Sequence, residues 1–159
     1  MRRGVRLGVD VGQARIGLSR SDRDGLFASA VETIARDHDS DTDVRRLVSI
    51  ASECEAIEWV VGLPIALSGR TTASTEDAVA FAQRLARASG IPVRLVDERL
   101  SSVSAHAQLH ASGRKTRSHR SVVDQVAAVI LLQTALDAER SGRLLGELLE
   151  APDEGAERD

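Results

Sequence analysis

The chain has 159 residues, 42% of them apolar and 28% charged, which is the composition of a globular domain and not of a disordered chain. Folding at this length buries roughly 69% of the unfolded surface, enough for one hydrophobic core. No apolar run approaches the ~20 residues of a membrane helix, the N-terminus lacks a signal-peptide core, and the lone cysteine, Cys54, excludes an intrachain disulfide and a cysteine-rich zinc site; the expected setting is the reducing cytoplasm.

Charge is unevenly placed. Residues 150–159 hold five acids and one arginine, which leaves +1 on residues 1–149 out of a net −3. Any affinity for nucleic acid must therefore come from a local patch. With two phenylalanines, one tryptophan and no tyrosine, binding by stacking bases on several rings is excluded.

In chain order, Val5, Leu7, Val9 and Val11 alternate with Arg6, Gly8 and Asp10, the period of a strand. Gly12-Gln13-Ala14 turns the chain, and Arg15 to Ser19 returns as a second strand. Asp22-Arg23-Asp24-Gly25 leads to a third, from Leu26 to Ile34. A helix is predicted over 42–55, where Val44, Leu47, Val48 and Ala51 recur at helical spacing. The apolar run Ile57 to Leu63 reads as a buried strand that meets a loop at Gly62-Leu63-Pro64. A second helix is predicted over 75–89, closed by Gly90 and followed by Pro92. Val93 to Val96 is a further strand, 102–111 a third helix, 112–120 a basic loop, and 121–140 a last helix whose run Val126 to Leu132 is apolar all round and therefore covered on several sides. The pattern predicts an α/β fold: a five-stranded mixed sheet with three meander strands, two right-handed crossovers, and helices on both faces. The first and fourth strands are the central parallel pair. Residues 1–149 form one domain in this reading, and 150–159 an acidic, disordered tail.

Three carboxylates stand out. Asp10 lies inside an apolar strand, flanked by Gly8 and Gly12, where an ionised group needs a cation, donors or a metal, and where glycines leave room for a close approach. A strand-end aspartate bonded into the next turn has the same pattern. Glu98 follows the strand ending at Val96, and C-terminal strand ends are where open α/β sheets carry ligands; equally, Asp97 and Glu98 suit the start of a helix. Asp124 shares a helical face with Ala128, Leu131 and Ala135 and so points inward, although Ser121-Val122-Val123-Asp124 also fits a capping box. Three inward acids on separate elements suggest a common cation.

Four segments together resemble one family: Val9-Asp10-Val11-Gly12-Gln13-Ala14-Arg15-Ile16-Gly17, Val60-Val61-Gly62-Leu63-Pro64, Asp97-Glu98-Arg99-Leu100-Ser101-Ser102, and the stretch from Val123 to Leu132. In this order they are similar to the YqgF/RuvX family, bacterial RNase H-like nucleases described as pre-16S rRNA nucleases and as Holliday-junction resolvases. The resemblance implies an RNase H-like fold with Asp10, Glu98 and Asp124 as catalytic acids. Ser102 stands where a threonine is common.

The chemistry so implied is phosphodiester hydrolysis with two divalent ions, Mg2+ or Mn2+, about 3.5–4 Å apart. These ions favour hard oxygen ligands and keep several waters, so a few carboxylates suffice. In this arrangement Asp10 bridges both ions, Glu98 and Asp124 hold one each, and Asp97 stands behind them. His38, His106, His110 and His119 read as surface residues. Arg114, Lys115, Arg117 and Arg120 form a basic clamp for the phosphate backbone, in contacts that are sequence-independent and weakened by salt. Arg15 and Arg99 either touch phosphate or pair with the acids, and Gly62 and Pro64 shape the rim. The expected partner is structured RNA, namely precursor 16S rRNA, or branched DNA, with the protein a monomer or homodimer; a resolvase needs two sites and so a dimer. A non-catalytic nucleic-acid-binding module is the alternative of another class, because fold alone does not assign chemistry.

Overall fold

The computed structural model describes residues 1–100 and 117–151. The strands are β1 (Arg6–Val11), β2 (Arg15–Ser21), β3 (Ala28–Ala35), β4 (Glu58–Leu63), β5 (Val93–Asp97) and β6 (Glu147–Leu149); the helices are α1 (Thr42–Glu53), α2 (Ala73–Ser89) and α3 (Arg117–Arg140), with a short 3-10 turn at Glu98–Leu100. One sheet runs in the order β3-β2-β1-β4-β5-β6. The first three strands form an antiparallel meander, β1, β4 and β5 are parallel, and β6 returns antiparallel to β5. The predicted mixed sheet with β1 and β4 as its central parallel pair is the observed one.

Side-chain alternation divides the interior into two cores. Leu7, Val9, Ile16, Leu18, Trp59 and Val61 face α1 and α2, where they meet Leu47, Phe81 and Leu85. Val60 and Val96 face the other way and meet Ala127, Leu131, Leu132 and Leu136 of α3. A period of two forces this split: neighbours on a strand point to opposite faces, so Val60 and Val61 must belong to different layers. The α2 helix is opened by a reciprocal Thr72–Thr75 capping box and closed by Gly90 at φ 71°, the left-handed geometry that favours glycine.

Four expectations need correction, and a fifth falls outside the described residues. The sheet has six strands, not five: β6 is three residues long, too short for an alternation to register. The third strand starts at Ala28 because the Asp22 carboxylate accepts from the backbone N–H of Leu26 and Phe27, which holds both in the turn. The α3 helix already includes Arg117, so the basic stretch ending at Arg120 is helix in its last four residues; the helix predicted over 102–111 lies outside the described residues. Finally, α3 lies along one face of the sheet, and Val126, Val129 and Ile130 keep intermediate exposure where full cover was expected. Among the described residues no helix is long and apolar enough to cross a membrane.

Candidate active site

The carboxyl ends of the parallel strands bring the acids together. Asp10 is on β1 and points to the α3 face, like Gly8 two residues earlier. Its register partner on β2 is Gly17, and Gly62 of β4 lies one step beyond the last paired residues, Val9 and Val61. Asp10 is thus flanked on both sides by residues without a side chain. Each space is filled by another of the three acids. A Cβ on Gly17 would stand 2.0 Å from the backbone carbonyl oxygen of Asp124 and 3.1 Å from its Cβ, and one on Gly62 would stand 2.9 Å from Glu98 Oε1. The glycines that admit the other two acids are therefore Gly17 and Gly62, while Gly8 admits the close approach of α3, whose Ala128 carbonyl oxygen would stand 2.9 Å from a Cβ there. Of the expected pair, Gly8 thus makes room for a neighbour as predicted, though for the helix and not for an acid, and Gly12 faces the Arg15 carbonyl oxygen in a turn.

Asp124 is the eighth residue of α3 as described, which rules out the capping-box alternative, since that requires it in the first turn. Its helical neighbours Ala128 and Leu131 are fully buried, as the inward face predicts. Two hydroxyl and amide contacts hold this part of the helix. Ser19 Oγ donates to the Ala128 carbonyl oxygen at 2.7 Å, and Gln125 Nε2 donates to Thr33 Oγ1 at 3.0 Å.

The electrostatics are those of crowded acids. Glu98 is buried, at 9% exposure, and shares a side-chain hydrogen bond with Asp10. Burial first, then the Glu98 charge and that hydrogen bond, then the Asp124 charge push the Asp10 carboxyl well above the ordinary carboxylate range. Carboxyls crowded in this way mark a site short of positive charge. Asp124 has a local cation: Arg15 Nε donates to its Oδ2 at 2.8 Å. Among the described residues no three His, Cys, Asp or Glu side chains stand together as a ligand set, and the contact that Asp124 makes is to Arg15.

The other predicted residues distribute as follows. Arg99 pairs with Asp97 at 2.7 Å, and its hydrogen bond holds the Asp97 carboxyl below the usual range; Asp97 is thus committed to Arg99. Gly62 lies under Glu98, inside the site and not on its rim. The Pro64 carbonyl accepts the Thr75 hydroxyl and so ties the loop to the start of α2. Arg117 and Arg120 belong to the first turns of α3, whereas Arg114 and Lys115 lie outside the described residues. His38 is on the surface, its Nε2 2.8 Å from the Gln13 carbonyl oxygen. Sequence reasoning missed Gly17 and Ser19 as positioning residues. A glycine inside an apolar strand was the available signal for the first; for Ser19 there was none.

Comparison with known proteins identifies the family. A model of the family described as "RuvX: Holliday junction resolvase" matches residues 4–138. The chain is similar to proteins named "Putative pre-16S rRNA nuclease": 62% identity to that of Clavibacter michiganensis subsp. michiganensis, over 89% of this chain and 88% of the relative, and 58% to that of Leifsonia xyli subsp. xyli, over 89% and 90%. Among solved structures it resembles Thermus thermophilus RuvC in complex with a Holliday junction substrate, with a TM-score of 0.59 and 16% identity over 92% of this chain and 99% of that one, a likeness of fold. With four motifs in register, an RNase H-like sheet and a family match across most of its length, the chain belongs to the RuvX family.

Proposed function

We propose that this protein is a divalent-metal-dependent endonuclease that hydrolyses phosphodiester bonds in structured RNA and acts in the cytoplasm in 5′-end maturation of precursor 16S rRNA. One observation carries the reading: the hydrogen-bonded Asp10–Glu98 pair, lying under the charge of Asp124 at the carboxyl ends of parallel strands. Three oxygen-only side chains drawn from three separate elements, whose crowding pushes the Asp10 carboxyl above the ordinary range, suit a hard dication that would relieve their repulsion. Asp10, between the other two, would face both ions, and Glu98 and Asp124 would hold one each.

When bound, the ions supply the positive charge that an attacked phosphodiester needs and acidify the attacking water. The chain's own residues do the rest. Gly17 and Gly62 leave room for the acids, Ser19 and Gln125 hold α3 in place, and Arg117, Arg120, Arg114 and Lys115 draw in the backbone by charge. The names of the Clavibacter and Leifsonia relatives support precursor rRNA as the substrate. A second reading, resolution of four-way DNA junctions by a homodimer, is favoured by the description of the family model.

The test is cleavage of a 5′-extended 16S precursor RNA and of a four-way DNA junction, side by side, with Mn2+, with Mg2+ and with excess chelator. Metal-dependent cutting of the RNA that is lost in Asp10→Asn, with its circular dichroism spectrum unchanged, is the expected result. Cutting of the junction alone would transfer the reading to the resolvase. Full cleavage in chelator or by Asp10→Asn would end both.

A further inference from the structure

Arg15 opens β2 two residues before Gly17, the residue opposite Asp10. Its guanidinium is one-third exposed and makes a single hydrogen bond among the described residues, from Nε to Asp124 Oδ2 at 2.8 Å. That contact is monodentate. It uses one of two carboxylate oxygens and leaves the terminal guanidinium nitrogens, the fork best suited to phosphate, without a partner among the described residues. A dication approaching Asp124 meets a resident positive charge, so the two cations compete for one carboxylate. A pair that is monodentate and only partly buried is weak enough to exchange.

Resting on the nuclease reading above, we propose that Arg15 is a displaceable counter-ion: it neutralises Asp124 in the metal-free protein, gives way when a divalent ion takes the carboxylate, and then contacts a phosphate oxygen of the nucleic acid. One side chain would thereby link metal loading to substrate binding. Metal alone is opposed by the Arg15–Asp124 pair, whereas metal and nucleic acid together satisfy both partners.

The experiment compares the full chain with Arg15→Gln and Arg15→Lys. Mn2+ binding without nucleic acid is read from the free-ion paramagnetic resonance signal. Binding of a structured RNA hairpin is measured over a salt series in Ca2+. The expected result for Arg15→Gln is Mn2+ affinity tighter by roughly two- to fivefold, the equivalent of losing one weak, partly exposed ion pair, together with weaker RNA binding and a salt slope shallower by about one. Arg15→Lys, which keeps the charge but loses the fork, should stay near the parent in Mn2+ affinity and in salt slope and bind the RNA more weakly. If Arg15 merely braces α3, Arg15→Gln binds Mn2+ no better or worse than the parent, and the exchange is refuted. Tighter Mn2+ with an unaltered salt slope refutes the phosphate contact. Asp10→Asn, run in parallel, separates the two readings: if its Mn2+ affinity equals the parent's, the metal-nuclease reading has failed; if it falls while Arg15→Gln is unchanged, only the counter-ion has failed.

Discussion

Gly17→Ala tests the fit on which the site depends. A Cβ at this position would stand 2.0 Å from the Asp124 carbonyl oxygen, so the backbone of α3 must recede by about 1.4 Å to restore an ordinary 3.4 Å contact. No side-chain rotation relieves a clash with backbone. Overpacking of this kind costs about 1–3 kcal/mol, or about 2–4 °C of melting temperature per kcal/mol in a protein of this size. A displacement above 1 Å at a catalytic group lowers the rate on the order of 100-fold. The assays are urea denaturation and single-turnover cleavage in Mn2+. Gly90→Ala is the control: its Cβ meets nothing within 4 Å, but the backbone is left-handed at φ 71°, so it should cost about 1–2 kcal/mol and leave cleavage intact. Were Gly17→Ala no slower than Gly90→Ala at equal fraction folded, the argument that Gly17 exists to seat Asp124 would be wrong.

Gly62→Ala should cost less stability than Gly17→Ala, because its Cβ meets side chains and not backbone (Glu98 Oε1 at 2.9 Å, Glu98 Cγ at 3.1 Å and Leu131 Cδ2 at 3.2 Å), and should slow cleavage because the Glu98 carboxylate has moved. Asp10→Asn should melt higher than the parent in chelator at pH 8, with the gap closing toward pH 4. The folded state raises the Asp10 pKa, so its penalty is absent below the unfolded value and grows as pH rises through the interval up to the folded one; differential scanning calorimetry across pH reads it. Glu58→Gln should cost about 3–5 kcal/mol in urea denaturation, because it strips a fully buried acid from Arg94, whose Nε is 2.6 Å away, and from Arg2.

Sequence patterning reaches as far as alternation and capping do. β1 and β4 are legible because apolar residues recur every second position, and α2 because Gly90 and Pro92 end it. Asp124 is legible as inward because Ala128 and Leu131 fix its face. The patterning misleads where charge is taken to mean solvent. Arg6, Glu58 and Arg94 are charged yet buried; only the sheet order sets Arg6 opposite Glu58 and Arg94 two registers along. The same assumption turned the first residues of α3 into a loop, since arginine and serine suit an exposed helix as well as a turn. No local signal announces that Gly17 and Gly62 flank Asp10, because that adjacency exists only once β2 and β4 have both paired with β1.

The buried charges acquire a reason when α3 is treated as a lever. Fifteen residues separate Asp124 from Glu139, about 22 Å along a helix axis. Keeping a catalytic group within about 0.5 Å of its working position over that length allows the helix to tilt by only about 1°. At the far end, Glu139 accepts from Arg6 Nη2 at 2.8 Å and from Arg2 Nε at 2.5 Å, and Arg6 is itself buried in β1. At the middle, Ser19 takes the Ala128 carbonyl, and Gln133 accepts from the Ala28 N–H at 2.9 Å. Apolar packing alone tolerates small slides, since one methyl group is as good a neighbour as another, whereas a directional hydrogen bond is not. A buried ion pair adds little net stability, because desolvation offsets attraction; what it does fix is orientation. On this account the cost accepted at Arg6 and Glu58, at one end of the sheet, is what lets the mutually repelling acids at the other end stay together.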